Sequence, residues 1–520
     1  MATDRFNVGP IVVLGAGING AAIARELTLQ GADVLLVDAE DLAGGTTSYS
    51  SRLIHGGLRY LEYAEISLVR ESLTERDRLL RLASELVHPL ELVIPVGNRF
   101  SGLISGAQRF FFKTGAAPKD GRGSLVVRLG LTLYDRFASG AVPGHRRLTS
   151  AQFAQSGLST EKFFTAFSYY DAQLTFPEQF VLALVQDAQA AAKEEGGAFS
   201  LRTYQHVRRE AETLFFSTIH PNHGSDGGGE VAVTPAAVIN AAGPWVDTAL
   251  AGLNVPSPRL IGGTKGSHLI TRAPDLCKTL GPRGVYAEAA DGRPIFILPW
   301  NNACLIGTTD IRYDGDPAEA VAEPDEIEYL IDATNMIFPD VGLTRDDIQQ
   351  HYCGVRPLPA VGEGATSSIT RSHVVHRHPG APFPLYSIIG GKLTTCRSLA
   401  EDVVKVVLPD LGQEVPRNSR DRALPPANFG ETPLDAPLLP DVNAPIAHSA
   451  YAIEHLAAKT LSDLVERRLM LVFDPNLSRQ CLCVLAEQLA DAGWLQRQEI
   501  DAEVDHYIHR LQKRYGKRVS

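Results

Sequence analysis

Residues 11–20 read IVVLGAGING, and this stretch decides the fold of the chain. An apolar run leads directly into Gly15, and a helix-like segment continues from Ile18 to Gln30. A second apolar run, 34–37, follows and ends at Asp38. This order of strand, glycine-rich turn, helix and strand predicts a βαβ unit, and therefore an α/β fold with a parallel sheet.

Gly15, Gly17 and Gly20 have the spacing GxGxxG, and Asp38 stands 18 residues after the last glycine. The glycines allow a tight turn and let a diphosphate approach the backbone at a helix N-terminus, while the acid accepts hydrogen bonds from ribose hydroxyls. A 2′-phosphate would meet like charge at Asp38, so the pattern disfavours NADP. Up to this point FAD and NAD fit equally well.

The segment from Asp41 to Arg59 is rich in glycine and hydroxyl side chains and contains no acid after Asp41. Such a segment can supply hydroxyl and backbone donors to phosphates and lie along an extended cofactor. A nicotinamide-binding domain more often continues directly into its next βα unit. The segment is therefore more typical of an FAD protein.

The composition limits the possible partners. The chain has 520 residues, of which 49 are Lys or Arg and 60 are Asp or Glu, so its formal net charge is −11. This length predicts two or three domains, and the acidic balance argues against nucleic acid. The six cysteines show no metal-ligand spacing and indicate reduced thiols, so no metal is expected. No apolar run approaches the roughly 18 residues that a membrane-spanning helix needs, so any membrane contact would be at the surface.

Helical periodicity is visible in several later segments. It predicts an amphipathic helix over 66–86, a helix over 180–193 that stops at Gly196, and three C-terminal helices over 450–471, 478–492 and 500–515. Residues 416–445 are rich in Pro, Asn and Asp, which is a linker composition. The C-terminal helices are therefore expected to form a separate unit.

Seven strings in the chain carry a family resemblance. They are the GxGxxG fingerprint, SSRLIHGGLRYLE at 50–62, AAGPWV at 241–246, KGSH at 265–268, IGTTD at 306–310, GVRPL at 354–358 and GGKLTT at 390–395. Together, and in this order, they resemble the FAD-dependent, aerobic-type glycerol-3-phosphate dehydrogenase family of the D-amino-acid-oxidase-like flavoproteins. The resemblance covers about residues 12–401. Asp38 departs from the glutamate of many members, and the tract 97–123 is longer than usual.

The resemblance implies a fold in three parts. A Rossmann-like FAD-binding domain would be interleaved with an α+β substrate domain that carries an antiparallel sheet, and an α-helical C-terminal domain would follow. The expected boundaries are 1–95, 165–255 and 350–410 for the first domain, 96–164 and 256–349 for the second, 411–446 for a linker and 447–520 for the third.

The resemblance also implies an activity and its partners. The expected reaction is oxidation of sn-glycerol 3-phosphate to glycerone phosphate, with hydride transfer from C2 to N5 of FAD and electrons passed to a membrane quinone. An oxidase of the same substrate that uses O₂, an amine or amino-acid oxidase, and a flavoprotein without turnover remain alternatives. A homodimer is left open. The expected location is the cytoplasm, at the inner face of the cell membrane.

An acidic protein must concentrate positive charge where it binds a phosphorylated substrate. By resemblance the substrate-binding cations are Arg59, Arg356, Arg371 and Lys392. Oxidation of a hydroxyl also needs a base, for which His55 and His268 are the candidates. His55 could instead pack beside the flavin or attach to it covalently.

The expected cofactor-binding residues lie in the matched strings. They are Gly15, Gly17, Gly20, Asp38, Thr46, Thr47, Ser48, Ser51, Arg52, Leu53, His55, Gly57, Gly243, Trp245, Asp310, Gly391, Lys392, Leu393 and Thr394. The turn at 390–394 precedes a helix, whose positive end could stabilise the anionic edge of a reduced flavin.

Two basic segments are candidates for contact with anionic lipid. The tract 97–134 contains Arg99, Arg109, Lys113, Lys119, Arg122 and Arg128 with three consecutive phenylalanines, and the C-terminal run contains Arg510, Lys513, Arg514, Lys517 and Arg518. Basic residues interleaved with aromatic ones suit a lipid surface, but a solvated loop and a frayed helical tail explain the same pattern.

Overall fold

The computed structural model describes residues 9–63, 65–97, 122–219, 229–360, 372–433 and 435–520. The strands of these segments are β1 (Ile11–Leu14), β2 (Val34–Val37), β3 (Leu53–Ile54), β4 (Val87–Gly97), β5 (Arg146–Arg147), β6 (Phe163–Leu174), β7 (Phe199–Arg202), β8 (Gln205–Glu210), β9 (Thr213–Thr218), β10 (Val231–Val233), β11 (Ala237–Asn240), β12 (Ile261–Thr271), β13 (Gly284–Glu288), β14 (Pro294–Trp300), β15 (Ala303–Gly307), β16 (Ile311–Arg312), β17 (Ile348–Pro359), β18 (Val374–Arg377) and β19 (Leu385–Ile389).

The α-helices of the same segments are α1 (Ile18–Thr28), α2 (Ile66–Leu82), α3 (Arg122–Phe137), α4 (Ser150–Ala154), α5 (Pro177–Glu195), α6 (Val246–Gly252), α7 (Pro274–Leu280), α8 (Pro324–Ile337), α9 (Cys396–Asp410), α10 (Ile446–His455), α11 (Arg479–Asp491) and α12 (Ile500–Tyr515). A π-helical turn spans Asp463–Arg468, and short 3₁₀ turns include Leu58–Tyr63, Pro317–Glu319 and Leu393–Thr395.

The first sheet has the strand order β18-β19-β11-β1-β2-β7. Its central strands run parallel, and β18 joins the edge in the antiparallel direction. All four residues of β1 and of β2 are buried, because helices cover the faces of a parallel sheet and leave no polar side. Helix α1 packs against α5 and α9. The predicted Rossmann-like unit is confirmed.

The second sheet has ten strands and is mainly antiparallel. Its order is β16-β12-β15-β14-β13-β4-β6-β3, with β17 paired to β12 and β5 paired to β6. The long pair β12 and β17 runs from Ile261 opposite Pro359 to His268 opposite Tyr352 and beyond. Apolar residues of α8 pack on this sheet in a second hydrophobic core. The predicted α+β part with an antiparallel sheet is therefore confirmed.

The chain passes between the two sheets several times. Strands β3 and β4 leave the first unit early and pair with β6 in the second sheet, although all of β3 and all but the last two residues of β4 fall within the expected first segment, 1–95. Strands β8, β9 and β10 form a small separate sheet. The exact domain boundaries stay a prediction.

Four of the five helices predicted from periodicity are present, with small shifts at their ends. Helix α2 ends at Leu82, four residues before the expected position, and α5 extends over Pro177–Glu195 rather than 180–193. Gly196 follows α5 with φ = +80°, the left-handed conformation that glycine adopts without steric cost.

The first predicted C-terminal helix, 450–471, is wrong as a single element. Helix α10 ends at His455, and Ala457 has φ = +57°, which interrupts the helical path. The chain then forms the π-helical turn, in which all six residues are buried. This turn faces inward because Arg467 and Arg468 bind Asp41 of the first unit.

The C-terminal basic run is not displayed as a cationic patch. Arg510 pairs with Glu466 at 3.3 Å and Lys513 with Glu319 at 3.1 Å. Arg514 and Lys517 donate to the carbonyl oxygens of Ala318 (2.9 Å) and Asp474 (2.6 Å). The frayed-tail interpretation is therefore wrong for these four residues, which bind the body of the protein. Most of the other basic tract, residues 98–121, lies outside the described residues.

Candidate active site

A cavity of about 710 Å³ is lined by residues of both large sheets and of the loop 41–51. The first sheet contributes the turns that follow the carboxyl ends of β1, β2, β11 and β19, which is where open α/β sheets bind ligands. The second sheet contributes residues of β12 and β17. Most of the predicted site residues therefore meet at one place.

Two of the fingerprint glycines, Gly15 and Gly20, are required by close backbone contacts. Gly15 has φ = +101°, and a Cβ atom on it would lie 2.6 Å from the carbonyl oxygen of Ala241. A Cβ atom on Gly20 would lie 1.8 Å from the carbonyl oxygen of Gly15. Gly15 and Gly17 line the cavity, whereas Gly20 lies behind them and allows α1 to begin beside the turn.

Asp38 lies at the cavity wall, at the end of β2. One carboxylate oxygen accepts a hydrogen bond from the backbone N–H of Ala16 at 2.6 Å, and the other accepts one from Glu40 at 2.9 Å. Burial nevertheless raises the pKa of Asp38 to about 6, because loss of hydration outweighs these two bonds. The carboxylate is thus oriented by the fingerprint turn and would gain from further donors such as ribose hydroxyls.

The loop 41–51 is held in place by its own hydroxyl groups. Thr47 Oγ1 accepts from the N–H of Ile18 at 3.1 Å, at the start of α1, and Thr46 Oγ1 donates to the carbonyl oxygen of Val355 at 2.5 Å. Both threonines line the cavity. Ser48 does not, and its hydroxyl donates to the carbonyl oxygen of Ala43 at 2.7 Å.

Arg52 lines the cavity, and its guanidinium is bound by other groups of the protein. The side chain is fully buried and forms two hydrogen bonds with Glu178, at 2.8 and 3.0 Å. The aromatic ring of Trp300 lies 4.8 Å from the guanidinium carbon, and that of Phe473 lies 5.0 Å from it. This arrangement makes Arg52 a bridge between elements.

His268 is buried on β12, where its ring stacks on Tyr352 with centroids 4.8 Å apart. Its Nε2 atom lies 2.8 Å from Ser51 Oγ, and its Nδ1 atom has no hydrogen-bond partner among the described residues. Burial and the neighbouring charges of Arg356 and Arg52 lower the pKa of His268 well below its usual range. The imidazole is therefore neutral at physiological pH.

Arg356 reaches the cavity from β17, opposite Thr264 of β12. Its guanidinium donates to Asp310 at 2.9 Å and to Thr308 Oγ1 at 3.0 Å. Gly266 makes room for it, because a Cβ atom at that position would lie 2.3 Å from the guanidinium. Asp310 does not itself line the cavity and instead orients this arginine.

His55 and Lys392 come together through the turn after β19. The N–H of His55 donates to Thr394 Oγ1 at 3.0 Å, and that hydroxyl lies 3.3 Å from the carbonyl oxygen of His55. The Lys392 ammonium donates to Ser72 Oγ at 2.7 Å and lies 4.6 Å from the centroid of the Tyr60 ring. All four of His55, Tyr60, Lys392 and Thr394 line the cavity.

Of the other predicted residues, some line the cavity and some do not. Those that line it are Ser51, Leu53, Gly243, Trp245, Gly391 and Leu393. Gly57 and Arg59 do not, and they lie beside and within the 3₁₀ turn Leu58–Tyr63. Arg371 lies outside the described residues. The functional role of each residue stays a prediction.

The cavity residues that the sequence did not single out include Tyr60 and Asn19. Tyr60 packs against Gly57, and a Cβ atom on Gly57 would lie 2.1 Å from the tyrosine ring. The glycine in the sequence therefore indicated that a neighbouring group packs closely against this position. Asn19 lies within the fingerprint and donates to the carbonyl oxygen of Gly390 at 3.3 Å. Its buried Oδ1 atom has no hydrogen-bond partner among the described residues.

The described residues fit a dinucleotide carrying a second ring system. The backbone around Gly15 and Gly20 leaves no room for a Cβ atom, Asp38 can still accept hydrogen bonds, and the unpartnered Oδ1 of Asn19 lies at the same wall. The cavity then continues to the residues around His55, His268 and Lys392. Its extent suits an elongated cofactor with its reactive end beside these groups.

A family model described as FAD dependent oxidoreductase matches residues 10–396, about three quarters of the chain. The chain therefore belongs to the FAD-dependent oxidoreductases, and FAD is its cofactor.

Comparison with curated proteins narrows the family. The chain is 35% identical to the glycerol-3-phosphate dehydrogenase of Synechocystis sp., over 96% of this chain and 95% of the relative. It is also 35% identical to the D-erythritol 1-phosphate dehydrogenase of Brucella abortus, over 77% and 74%. Within its class, the chain belongs to the glycerol-3-phosphate dehydrogenase family.

A solved structure supports the fold over the full length. It is that of the glycerol-3-phosphate dehydrogenase from Bacillus halodurans complexed with FAD, which matches with a TM-score of 0.70 at 20% identity. The match covers 98% of this chain and 95% of that one. The C-terminal helices are thus part of the shared fold.

Proposed function

We propose that this enzyme oxidises sn-glycerol 3-phosphate to glycerone phosphate. The observation that carries the proposal is that one cavity joins a dinucleotide fingerprint to a neutral buried histidine, a guanidinium and an ammonium. A phosphorylated alcohol needs these groups: cations for the phosphate and a base for the hydroxyl proton. Two relatives of this chain are named for phosphorylated polyols.

Arg356 and Lys392 bind the substrate phosphate in this proposal. Asp310 and Thr308 hold the Arg356 guanidinium at a fixed orientation, which suits bidentate recognition of phosphate oxygens. Lys392, held by Ser72, adds a compact positive charge. His55, His268, Arg356 and Lys392 are called the substrate side of the cavity below, and Gly15, Gly17, Asp38, Thr46 and Thr47 are called its cofactor side.

His268 accepts the proton of the C2 hydroxyl in this proposal. The lowered pKa keeps its imidazole neutral and able to accept, and the stacked Tyr352 ring and the Ser51 hydroxyl fix the plane of the ring. When bound, FAD supplies the acceptor for the hydride that leaves C2. The substrate side therefore needs only to orient C2, hold the phosphate and remove one proton.

An anaerobic titration tests the activity. Addition of sn-glycerol 3-phosphate to the holoenzyme should bleach the flavin absorbance and yield glycerone phosphate in a 1:1 ratio. An unchanged spectrum with FAD-loaded protein would sink the proposal. D-erythritol 1-phosphate is the second candidate, because a relative of equal identity is named for it. The ratio of kcat/KM for the two substrates decides between them, and amino acids in the same screen test the amino-acid oxidase alternative.

We further propose a quinone as the electron acceptor. The relatives matched by sequence are named dehydrogenases, which favours an acceptor other than O₂. Reduced enzyme mixed with a soluble quinone analogue should reoxidise much faster than with air-saturated buffer. Rapid peroxide formation at the rate of turnover would favour an oxidase instead.

No helix of the described residues is long and apolar enough to cross a membrane. We propose contact at the surface of an anionic membrane through α3, which exposes Leu125 (56%) and Leu129 (40%) one turn apart. Co-sedimentation with phosphatidylglycerol vesicles should fall when both leucines are changed to Ser. Equal sedimentation of the variant and the parent protein would exclude this surface.

A further inference from the structure

Helices α10, α11 and α12 and the π-helical turn Asp463–Arg468 are called the C-terminal unit below. This unit contacts the loop 41–51, whose threonines line the FAD cavity. The connection is Asp41, a residue at the start of this loop that is only 1% exposed. Its carboxylate accepts from Arg467 Nε at 2.5 Å and from two nitrogens of Arg468 at 2.6 and 2.8 Å. Both arginines belong to the π-helical turn Asp463–Arg468.

This contact is a buried ion pair with its hydrogen bonds satisfied. Arg468 is 1% exposed, and its Nε atom also donates to the carbonyl oxygen of Leu456 at 3.0 Å. Burial alone would raise the pKa of Asp41, but the two guanidiniums hold it at about 2. Because the pKa of this carboxyl is lowered, the pair is present at neutral pH and is lost only on acidification.

A second contact lies at the other end of the same loop. The guanidinium carbon of Arg514, on α12, lies 5.1 Å from the centroid of the Tyr49 ring. The same guanidinium donates to the carbonyl oxygen of Ala318. Both Tyr49 and Ala318 line the FAD cavity, so α12 supports two parts of its wall.

The C-terminal unit also places positive charge beside the loop. A second cavity, of about 560 Å³, lies between loop residues 44–46 and this unit. Its lining includes Arg467, Arg510 and Arg514, against Glu40 and Glu503. The loop is thus fixed from both sides: the fingerprint helix binds Thr47, and the C-terminal unit binds Asp41.

We infer that docking of the C-terminal unit through the Asp41–Arg468 pair determines how tightly the protein holds FAD. A loop that is already ordered costs less conformational entropy when the cofactor binds, so loss of the pair should weaken binding. Arg467, Arg468 and Asp41 are positioning residues in this view, since they act through the loop. The inference rests on FAD as the cofactor and is independent of the substrate.

The test compares Arg468→Met with Arg25→Met in the full-length chain. Arg25 is a matched control, because it is also buried (4% exposed) and pairs at 2.5 Å with a carboxylate, Asp187, but it does not touch the loop. FAD dissociation constants come from the flavin fluorescence of the reconstituted apoprotein, and stability comes from urea unfolding of the apoprotein. We expect Arg468→Met to raise the FAD dissociation constant about tenfold or more, and Arg25→Met to leave it within about twofold, at similar losses of stability.

Equal effects of both variants on FAD affinity would overturn the inference, since that result assigns only general stability to the pair. Arg468→Lys should recover part of the affinity.

A second measurement needs no variant. Because coupling is reciprocal, FAD must stabilise the docked C-terminal unit of the wild-type protein. Amide hydrogen exchange of residues 456–468 should slow when FAD is added to the apoprotein. Exchange that is unchanged by FAD would also overturn the inference, and neither result depends on whether sn-glycerol 3-phosphate is the substrate.

Discussion

The cofactor side of the cavity is built from glycines, two hydroxyls and one carboxylate, whereas its substrate side is built from imidazoles, a guanidinium and an ammonium. The cofactor side comes from residues 15–47, a single βαβ unit and the loop after it. The substrate side comes from four separate segments, and His55 and Lys392 are more than 300 residues apart. The cofactor side is therefore a local arrangement of backbone, whereas the substrate side forms only because the two sheets meet at the cavity.

This comparison predicts two different kinds of failure. A change on the cofactor side should reduce the amount of bound FAD, because the cofactor can approach the backbone only where no side chain fills the space. A change on the substrate side should leave FAD bound and reduce turnover, because the charges act on the substrate.

The largest effect is expected from Gly20→Ala. The new Cβ atom would lie 1.8 Å from a backbone oxygen of Gly15, so the turn and α1 cannot both keep their positions. We expect purified protein without flavin absorbance. Gly130→Ala is the control, since no atom lies within 4 Å of the Cβ position and alanine favours the helix α3. A Gly20→Ala protein that carries normal FAD would disprove the steric account of the cofactor side.

The next effect is expected from His268→Gln. Loss of a general base should lower kcat by roughly 10²- to 10⁴-fold, while FAD content stays normal. The wild-type pH profile provides a second readout. Because the pKa of His268 is lowered, the base stays unprotonated as the pH falls through 6.5, and activity should be lost only at a clearly lower pH. An acid limb near pH 6.5 that disappears in the variant would contradict this environment for the imidazole.

Arg356→Ala should lower kcat/KM for the phosphorylated substrate by about 100-fold. This ratio corresponds to a loss of roughly 3 kcal/mol of transition-state stabilisation, which is the size expected for hydrogen bonds between charged groups. The FAD dissociation constant should change little. The control is Arg293→Ala, which removes a half-exposed arginine that precedes β14, pairs with Asp291 and does not line the cavity. Steady-state kinetics at several phosphate concentrations provide the measurement, since inorganic phosphate should inhibit the parent protein more than the Arg356 variant. Comparable inhibition of both proteins by phosphate would show that Arg356 does not bind the substrate phosphate.

The smallest effect is expected from Asp38→Asn, at about tenfold weaker FAD binding. Because the pKa of Asp38 is raised to about 6, its carboxylate is ionised only above that pH, and ribose hydroxyls favour the ionised form. The FAD affinity of the wild type should therefore rise between about pH 5 and pH 7, and the variant should lack this slope.

The same raised pKa of Asp38 predicts a stability effect of opposite sign. The folded apoprotein binds the proton of this carboxyl more tightly than the unfolded chain does, so the contribution is favourable at low pH and is lost as the pH rises through about 6. Asp38→Asn should thus make the apoprotein more resistant to urea at pH 7. A destabilised apoprotein would show that the two backbone hydrogen bonds to Asp38 matter more than its burial.

Much of the first unit could be predicted because its signals are local. The apolar runs of β1 and β2 are continuous because both faces of the strands are buried, and the glycines mark backbone contacts within a few residues. The amphipathic pattern of α2 located that helix to within four residues at its end. These features depend on neighbours in the sequence.

The features that the sequence could not show concern residues whose partners are distant in the sequence. The string at 50–62 made Arg52 a candidate cofactor ligand, which stays a prediction, but the pairing of its guanidinium with Glu178 was not visible in that string. Periodicity joined residues 450–471 into one helix, but Arg467 and Arg468 turn inward to reach Asp41, more than 400 residues earlier. A charge in a sequence shows no sign of whether solvent, lipid or a buried carboxylate will neutralise it.

The sequence by itself determined the βαβ fingerprint, the dinucleotide chemistry of its glycines and Asp38, and the family, because short-range backbone geometry requires particular residue types at fixed spacing. Only the tertiary structure decided which charges meet. The pairing of β12 with β17 brings His268 and Arg356 to the cavity, and the turn after β19 brings Lys392 to the cavity and Thr394 to His55. Arg467 and Arg468 likewise pair with Asp41 only in the folded protein. The free energy of a buried charge depends on its partners, and these partners lie far apart in the linear sequence.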